Sequence, residues 1–169
     1  MMQRRTWLKL GAVSATVLIL AGGATALLQP GLRQGHLTPG AQDVFTSVAR
    51  AILDGTLPTE PAQAQAALKG LMPRIDALVQ ALPPHAQAEL SQLLGLLGTA
   101  VGRRTLAALA PDWRSASVAE VQQALQSMRS SRLGLRLQSY QALHDIVGAA
   151  YFSDASTWPA LGYPGPLTI

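Results

Sequence analysis

There is no cysteine among the 169 residues. That excludes a disulfide framework, a thiol lipid anchor, a C-x-x-C-H haem site and any thiolate metal site. Charge is scarce as well, at 13% of residues, and the nine acids fall singly along the chain, so paired-carboxylate chemistry has no footing. No two histidines or carboxylates share a helix face at metal-ligand spacing. No G-x-G-x-x-G follows a strand, so no dinucleotide site is visible. Strand signals are nearly absent. Alanine and leucine abound instead, which predicts a helical body with much apolar surface, the kind that meets a partner or a membrane.

What is present begins with an address. Met1 to Lys9 is basic, Leu10 to Leu28 carries no charge, and small residues gather near its end. Such a segment is a secretory leader or an anchor. Arg4 and Arg5, followed by Thr6, Trp7, Leu8 and Lys9, resemble the twin-arginine signal of the bacterial Tat route, with Trp7 where phenylalanine is commoner. Tat cargo crosses folded. Ala24-Thr25-Ala26 offers a cleavage site, whereas nineteen uncharged residues are also enough to span a bilayer, so cleavage and anchoring both stay open. Without residues 1–26 the basic count falls from 13 to 10 against 9 acids. A body so near neutral lacks the basic face that nucleic acid requires.

Residues 29–37, with Pro30, Gly31 and Gly35, read as a linker. The bundle is expected over 38–152, as about five helices. Thr38 is placed to cap a helix starting at Pro39, with Val44, Phe45, Val48 and Ile52 on one face. Thr59 opens a second, striped by Leu68, Leu71, Met72, Ile75, Leu78, Val79 and Leu82, with a kink or break expected near Pro73. A third runs from Pro84 towards Leu109. Its face is Leu90, Leu93, Leu94, Leu97 and Val101, with Gly98 and Gly102 open to a close neighbour. Trp113 is expected to plug a gap between helices. Ser117-Val118-Ala119-Glu120 is a capping box for a fourth, whose stripe is Val118, Val121, Leu125 and Met128. The last helix places Leu133, Leu137, Tyr140, His144, Val147 and Tyr151 on one face.

From 153 to 169 the prolines, glycines and aromatics predict an extended tail. Trp158, Leu161, Tyr163, Pro164 and Pro166 are its candidates for binding a partner, and packing on its own bundle is the other reading. Catalytic candidates are thin. His36 falls in the linker and His85 in a first helical turn. His144 reads as a structural histidine bonded to a carbonyl, because Asp145 is about 100° away around the helix. Arg103-Arg104 reads as a solvated helix face, with a phosphate patch as the alternative. The chain therefore reads as non-catalytic, with no cofactor or metal of its own.

Taken together, the leader, the small helical body and the ending Y-Q-A-L-H-D-I-V-G-A-A-Y-F followed by S-T-W-P-A-L-G-Y-P-G-P resemble the gluconate 2-dehydrogenase subunit 3 family. These are small subunits of bacterial membrane-bound flavin dehydrogenases. The likeness spans most of the chain and is sharpest from Tyr140 to Pro166. It implies a cofactor-free subunit that binds a large FAD-containing subunit of the glucose–methanol–choline (GMC) class. In that family the small subunit supplies the Tat leader, so the flavoprotein travels as a folded passenger to the periplasmic side of the inner membrane. A cytochrome c subunit carrying haem often completes the enzyme. The partner's substrate, whether sugar, sugar acid or alcohol, is left open. Two other readings stand beside it: a periplasmic helical binding or scaffold protein, and a small enzyme using His144 and Tyr140.

Overall fold

A computed structural model describes residues 29–165; the twin-arginine motif Arg4, Arg5, Trp7, Leu8 and Lys9 lies outside the described residues, as does Pro166. The architecture is the expected small all-α bundle. Five long helices follow one another as α1 (Pro39–Ile52), α2 (Pro61–Gln80), α3 (Pro84–Gly98), α4 (Val118–Arg129) and α5 (Gly134–Phe152). Among the described residues no helix is long and apolar enough to cross a membrane.

Helix α1 is the hub, packed against each of the other four. Its Val44, Phe45 and Val48 are fully buried, and Ile52 is half-buried. Against them lie Leu71, Ile75 and Val79 of α2, Leu94 and Leu97 of α3, Val121 and Met128 of α4, and Leu143 and Val147 of α5. The i, i+3, i+4, i+7 spacing of these side chains makes each helix a stripe facing one shared core.

Residues 29–37 are not a linker. They form a β-hairpin of two-residue strands, β1 (Leu32–Arg33) and β2 (His36–Leu37), paired antiparallel. Gln34 and Gly35 turn the corner at φ 52° and 79°, the positive-φ pair of a two-residue hairpin loop. The hairpin is fastened to the bundle at three points. Gly31 N–H donates to the Ser91 carbonyl at 3.0 Å, Leu32 N–H to Ser91 Oγ at 3.0 Å, and Leu37 N–H to Asp76 Oδ1 at 2.7 Å. Leu32 and Leu37 join the core. The close approach expected at Gly98 lies here instead, at Gly95. A Cβ on Gly95 would stand 2.5 Å from the Gln29 carbonyl, whereas one on Gly98 would meet nothing.

Several helix boundaries differ from expectation for local reasons. Thr38 occupies the N-cap position of α1 but its hydroxyl donates to the Pro30 and Gly31 carbonyls, so the side chain serves the hairpin rather than the helix. Glu60, not Thr59, caps α2 by accepting from Gln63 N–H at 2.8 Å. Helix α2 runs unbroken through Pro73, which sits on the exposed face where the carbonyl it frees can meet water. Helix α3 stops at Gly98. Thr99 then caps a single α-turn, Ala100–Gly102, by accepting from Gly102 N–H at 3.0 Å, and a π-turn follows over Arg103–Ala107. That break rotates Val101 out of the core, leaving it 72% exposed.

Trp113 plugs the bundle as expected. It is buried, and its indole N–H donates at 2.8 Å to the Leu97 carbonyl at the frayed end of α3. The capping box is also present. Ser117 N–H donates to Glu120 Oε2 at 2.8 Å, while Glu120 N–H donates to Ser117 Oγ at 3.3 Å. The Ser117 backbone N–H, then its hydroxyl, hold the Glu120 carboxyl below its usual range.

Candidate functional site

Just past α5 lies the segment of greatest interest. Here the expected extended tail is instead a 3₁₀ turn, Ala155–Leu161, with Pro159 inside it. Asp154 starts the turn. Its Oδ1 accepts from Ser156 N–H at 3.0 Å and from the Ser156 hydroxyl at 2.7 Å. Its Oδ2 is ion-paired with Arg74 Nη1 of α2. The bonds from Ser156, with the Arg74 guanidinium adding a smaller contribution, hold the Asp154 carboxyl below the ordinary aspartate range.

Trp158 then folds back on the end of α5. Its indole N–H donates to the Phe152 carbonyl at 2.8 Å, one of the acceptors that a helix C-terminus leaves unpaired. Thr157 Oγ1 adds a bond to the Tyr151 carbonyl at 3.3 Å. Gly162, at φ 70°, reverses the chain so that Tyr163 meets Trp158 edge to face, with ring centroids 5.3 Å apart. Gly165 lies against the other side of the indole: a Cβ there would stand 3.5 Å from Trp158 Cζ3. Of the sequence candidates, Trp158 is thus half-buried, Tyr163 and Pro164 are exposed, and Leu161 ends the 3₁₀ turn. The tail packs on its own bundle through Trp158 and Thr157, and Tyr163 and Pro164 stay exposed.

Beside this knob is a cleft of about 480 Å³, walled by the α1–α2 loop, by Ala66, Gly70 and Arg74 of α2, and by Tyr151, Asp154 and Thr157. Tyr151 closes its floor, donating its hydroxyl to the Thr56 carbonyl at 3.3 Å. Arg74 Nε is buried there without a hydrogen-bond partner. Arg74, Thr56 and Asp154 were not foreseen as site residues. Only Asp154 had a readable signal, since Asp followed two residues later by Ser favours a side-chain-capped turn.

The other candidates sort differently. His144 does not lie on the buried face of α5, which is made by Ser139, Leu143, Ile146, Val147, Ala150 and Tyr151. It is exposed, stacks on Tyr140 with centroids 5.5 Å apart, and its Nδ1 lies 3.1 Å from Asp145 Oδ1 rather than on a carbonyl. Arg103 is neither solvated nor a phosphate ligand: it is buried and ion-paired at 2.6 Å with the exposed Asp112. Arg104 is exposed. On the hairpin, His36 contacts Asp76 of α2 at 3.4 Å. Among the described residues no three His, Asp or Glu side chains gather as a metal site would require. Comparison of the chain with protein-family models, with curated proteins and with solved structures finds no match in any of the three.

Proposed function

We propose that this chain is a non-catalytic small subunit that binds a large FAD-dependent dehydrogenase of the GMC class, supports its folding and carries it through the Tat pathway. The observation that carries the reading is the C-terminal knob. The stretch in which the family resemblance is sharpest presents Tyr163 and Pro164 to solvent on a backbone already ordered by Trp158 and Asp154. Aromatic side chains on a pre-ordered backbone are the usual anchors of protein interfaces, because little conformational entropy is left to lose on binding. The R-R-T-W-L-K order supports the export half of the proposal. On this reading the complex works at the periplasmic face of the inner membrane. The FAD resides in the partner, haem c in a third subunit where one is present, and the substrate is a sugar, sugar acid or alcohol.

Fractionation of cells making both subunits tests it. With Arg4→Lys and Arg5→Lys together, this chain and its flavoprotein should both remain in the cytoplasm. A flavoprotein that reaches the periplasm without the arginine pair carries its own signal, and the carrier role is then lost.

A further inference from the structure

Two stretches of this protein carry cations and no acid. No acid occurs between Glu89 and Asp112, and none between Glu120 and Asp145, yet these two stretches hold Arg103, Arg104, Arg129, Arg132 and Arg136. The fold brings the stretches together. Arg136, in the first turn of α5, donates from Nε to the Leu106 carbonyl of the π-turn at 2.7 Å and from Nη2 to Ser127 Oγ of α4 at 2.8 Å. Arg103 is consumed internally by Asp112. Arg104, Arg129 and Arg132 are exposed and form no ion pair among the described residues. On the same two stretches stand the two most exposed large aliphatic side chains among the described residues, Val101 at 72% and Leu133 at 66%.

Exposed arginines together with exposed aliphatic side chains are a composition suited to anionic lipid. The guanidinium groups pair with phosphates and the aliphatic groups enter the acyl boundary. Val101 and Leu133 do not line the cleft beside the C-terminal knob. We infer that the end of the bundle built from the π-turn and the α4–α5 turn docks on a bilayer containing anionic phospholipid. This surface involves different residues from the C-terminal knob and does not rest on the dehydrogenase reading.

The absence of cysteine makes the test direct. An environment-sensitive fluorophore is attached to full-length protein through Leu133→Cys or, away from the patch, through Gln65→Cys on α2. Accessibility to an aqueous quencher is then measured on vesicles of phosphatidylcholine with and without phosphatidylglycerol. The label at 133 should be quenched about tenfold more slowly on the anionic vesicles only, and the label at 65 should not change. The shielding should vanish at high salt and in Arg104→Gln/Arg129→Gln/Arg132→Gln, because three surface arginines together contribute about a hundredfold to such partitioning. Because both labels are on full-length protein, binding through the leader alone cannot imitate that difference. The inference is overturned if the two labels respond alike, if neutral vesicles shield position 133 equally, or if shielding survives the triple variant. Shielding by soluble polyglutamate but not by vesicles would instead assign the surface to an acidic protein.

Discussion

Arg74 and Asp154 are eighty positions apart in the chain and are ion-paired in the fold, joining the middle of α2 to the first residue of the C-terminal turn. The pair ties the segment that bears Trp158 and Tyr163 to the bundle. Asp154→Asn should release that tie and, on the proposed function, weaken co-purification of the flavin subunit while leaving the helical signal of the bundle intact. Acid should do the same. The Asp154 carboxyl titrates lower in the folded chain than in the unfolded one, so its contribution is present above the ordinary aspartate range and is lost as pH falls through the depressed value. Fluorescence of Trp158 followed from neutral to acid pH, with Trp7 and Trp113 replaced by Phe, checks this; a signal flat through the carboxylate range would count against the tie.

Removing the segment altogether separates its packing on the bundle from its proposed role in binding. Truncation after Ser153 deletes the Trp158 bond to Phe152, the Thr157 bond to Tyr151 and the Arg74–Asp154 pair, but no residue of the buried core. The isolated protein should lose about 1–3 kcal/mol of stability, the net worth of two hydrogen bonds and a part-exposed ion pair with little packing. Binding should suffer more, since buried aromatic anchors contribute about 2 kcal/mol or more each. A pull-down in which the truncated chain holds the flavoprotein as well as the full chain would move the contact to the helix faces.

Leu97 is fully buried and Ser117 is exposed. Leu97→Ala should destabilise the bundle by about 2–5 kcal/mol through the cavity it leaves. Ser117→Ala should cost about 1 kcal/mol through the lost cap. Urea denaturation midpoints must rank in that order if the core is arranged as described.

Arg103 depends on one exposed carboxylate. Asp112→Asn leaves a buried guanidinium without its counter-charge, and should cost about 1–3 kcal/mol, since Asp112 itself loses little by staying in water. Arg103→Met removes the charge along with its need for a partner, so adding it to Asp112→Asn should recover much of the loss. Thermal melts of the single and double variants decide whether the pair couples as drawn.

How much of this was legible depends on the length over which a pattern runs. Val44, Phe45 and Val48, or Leu71, Ile75 and Val79, repeat over several turns, and each was placed on its buried face by spacing alone. The capping box at Ser117 and the buried Trp113 were readable because a single chemical need explains each. The hairpin was missed because two-residue strands carry no alternation, although Gln34-Gly35 was a usable turn. On α5 the stripe of Leu133, Leu137, Tyr140, His144, Val147 and Tyr151 holds at Val147 and Tyr151, which are buried, and fails at Leu133 and His144, because a second stripe through Ser139, Leu143, Ile146 and Ala150 is buried instead. Contact with α1, α2 and α4 selects the second, and no local signal encodes that choice. In the candidate site Trp158 and Tyr163 stood out by composition. Arg74 did not, because its role comes only from the return of the chain at Asp154.

The hairpin at the start of the body also has a mechanical meaning. Anything that pulls on the chain ahead of Gln29 loads the bonds of Gly31 and Leu32 to Ser91, and that of Leu37 to Asp76, before it loads α1. If those few bonds yield, residues 29–38 can pay out as about 35 Å of extended chain while the core stays shut. A pull on the N-terminal side is therefore absorbed by a sacrificial tether, and the five helices need not feel it.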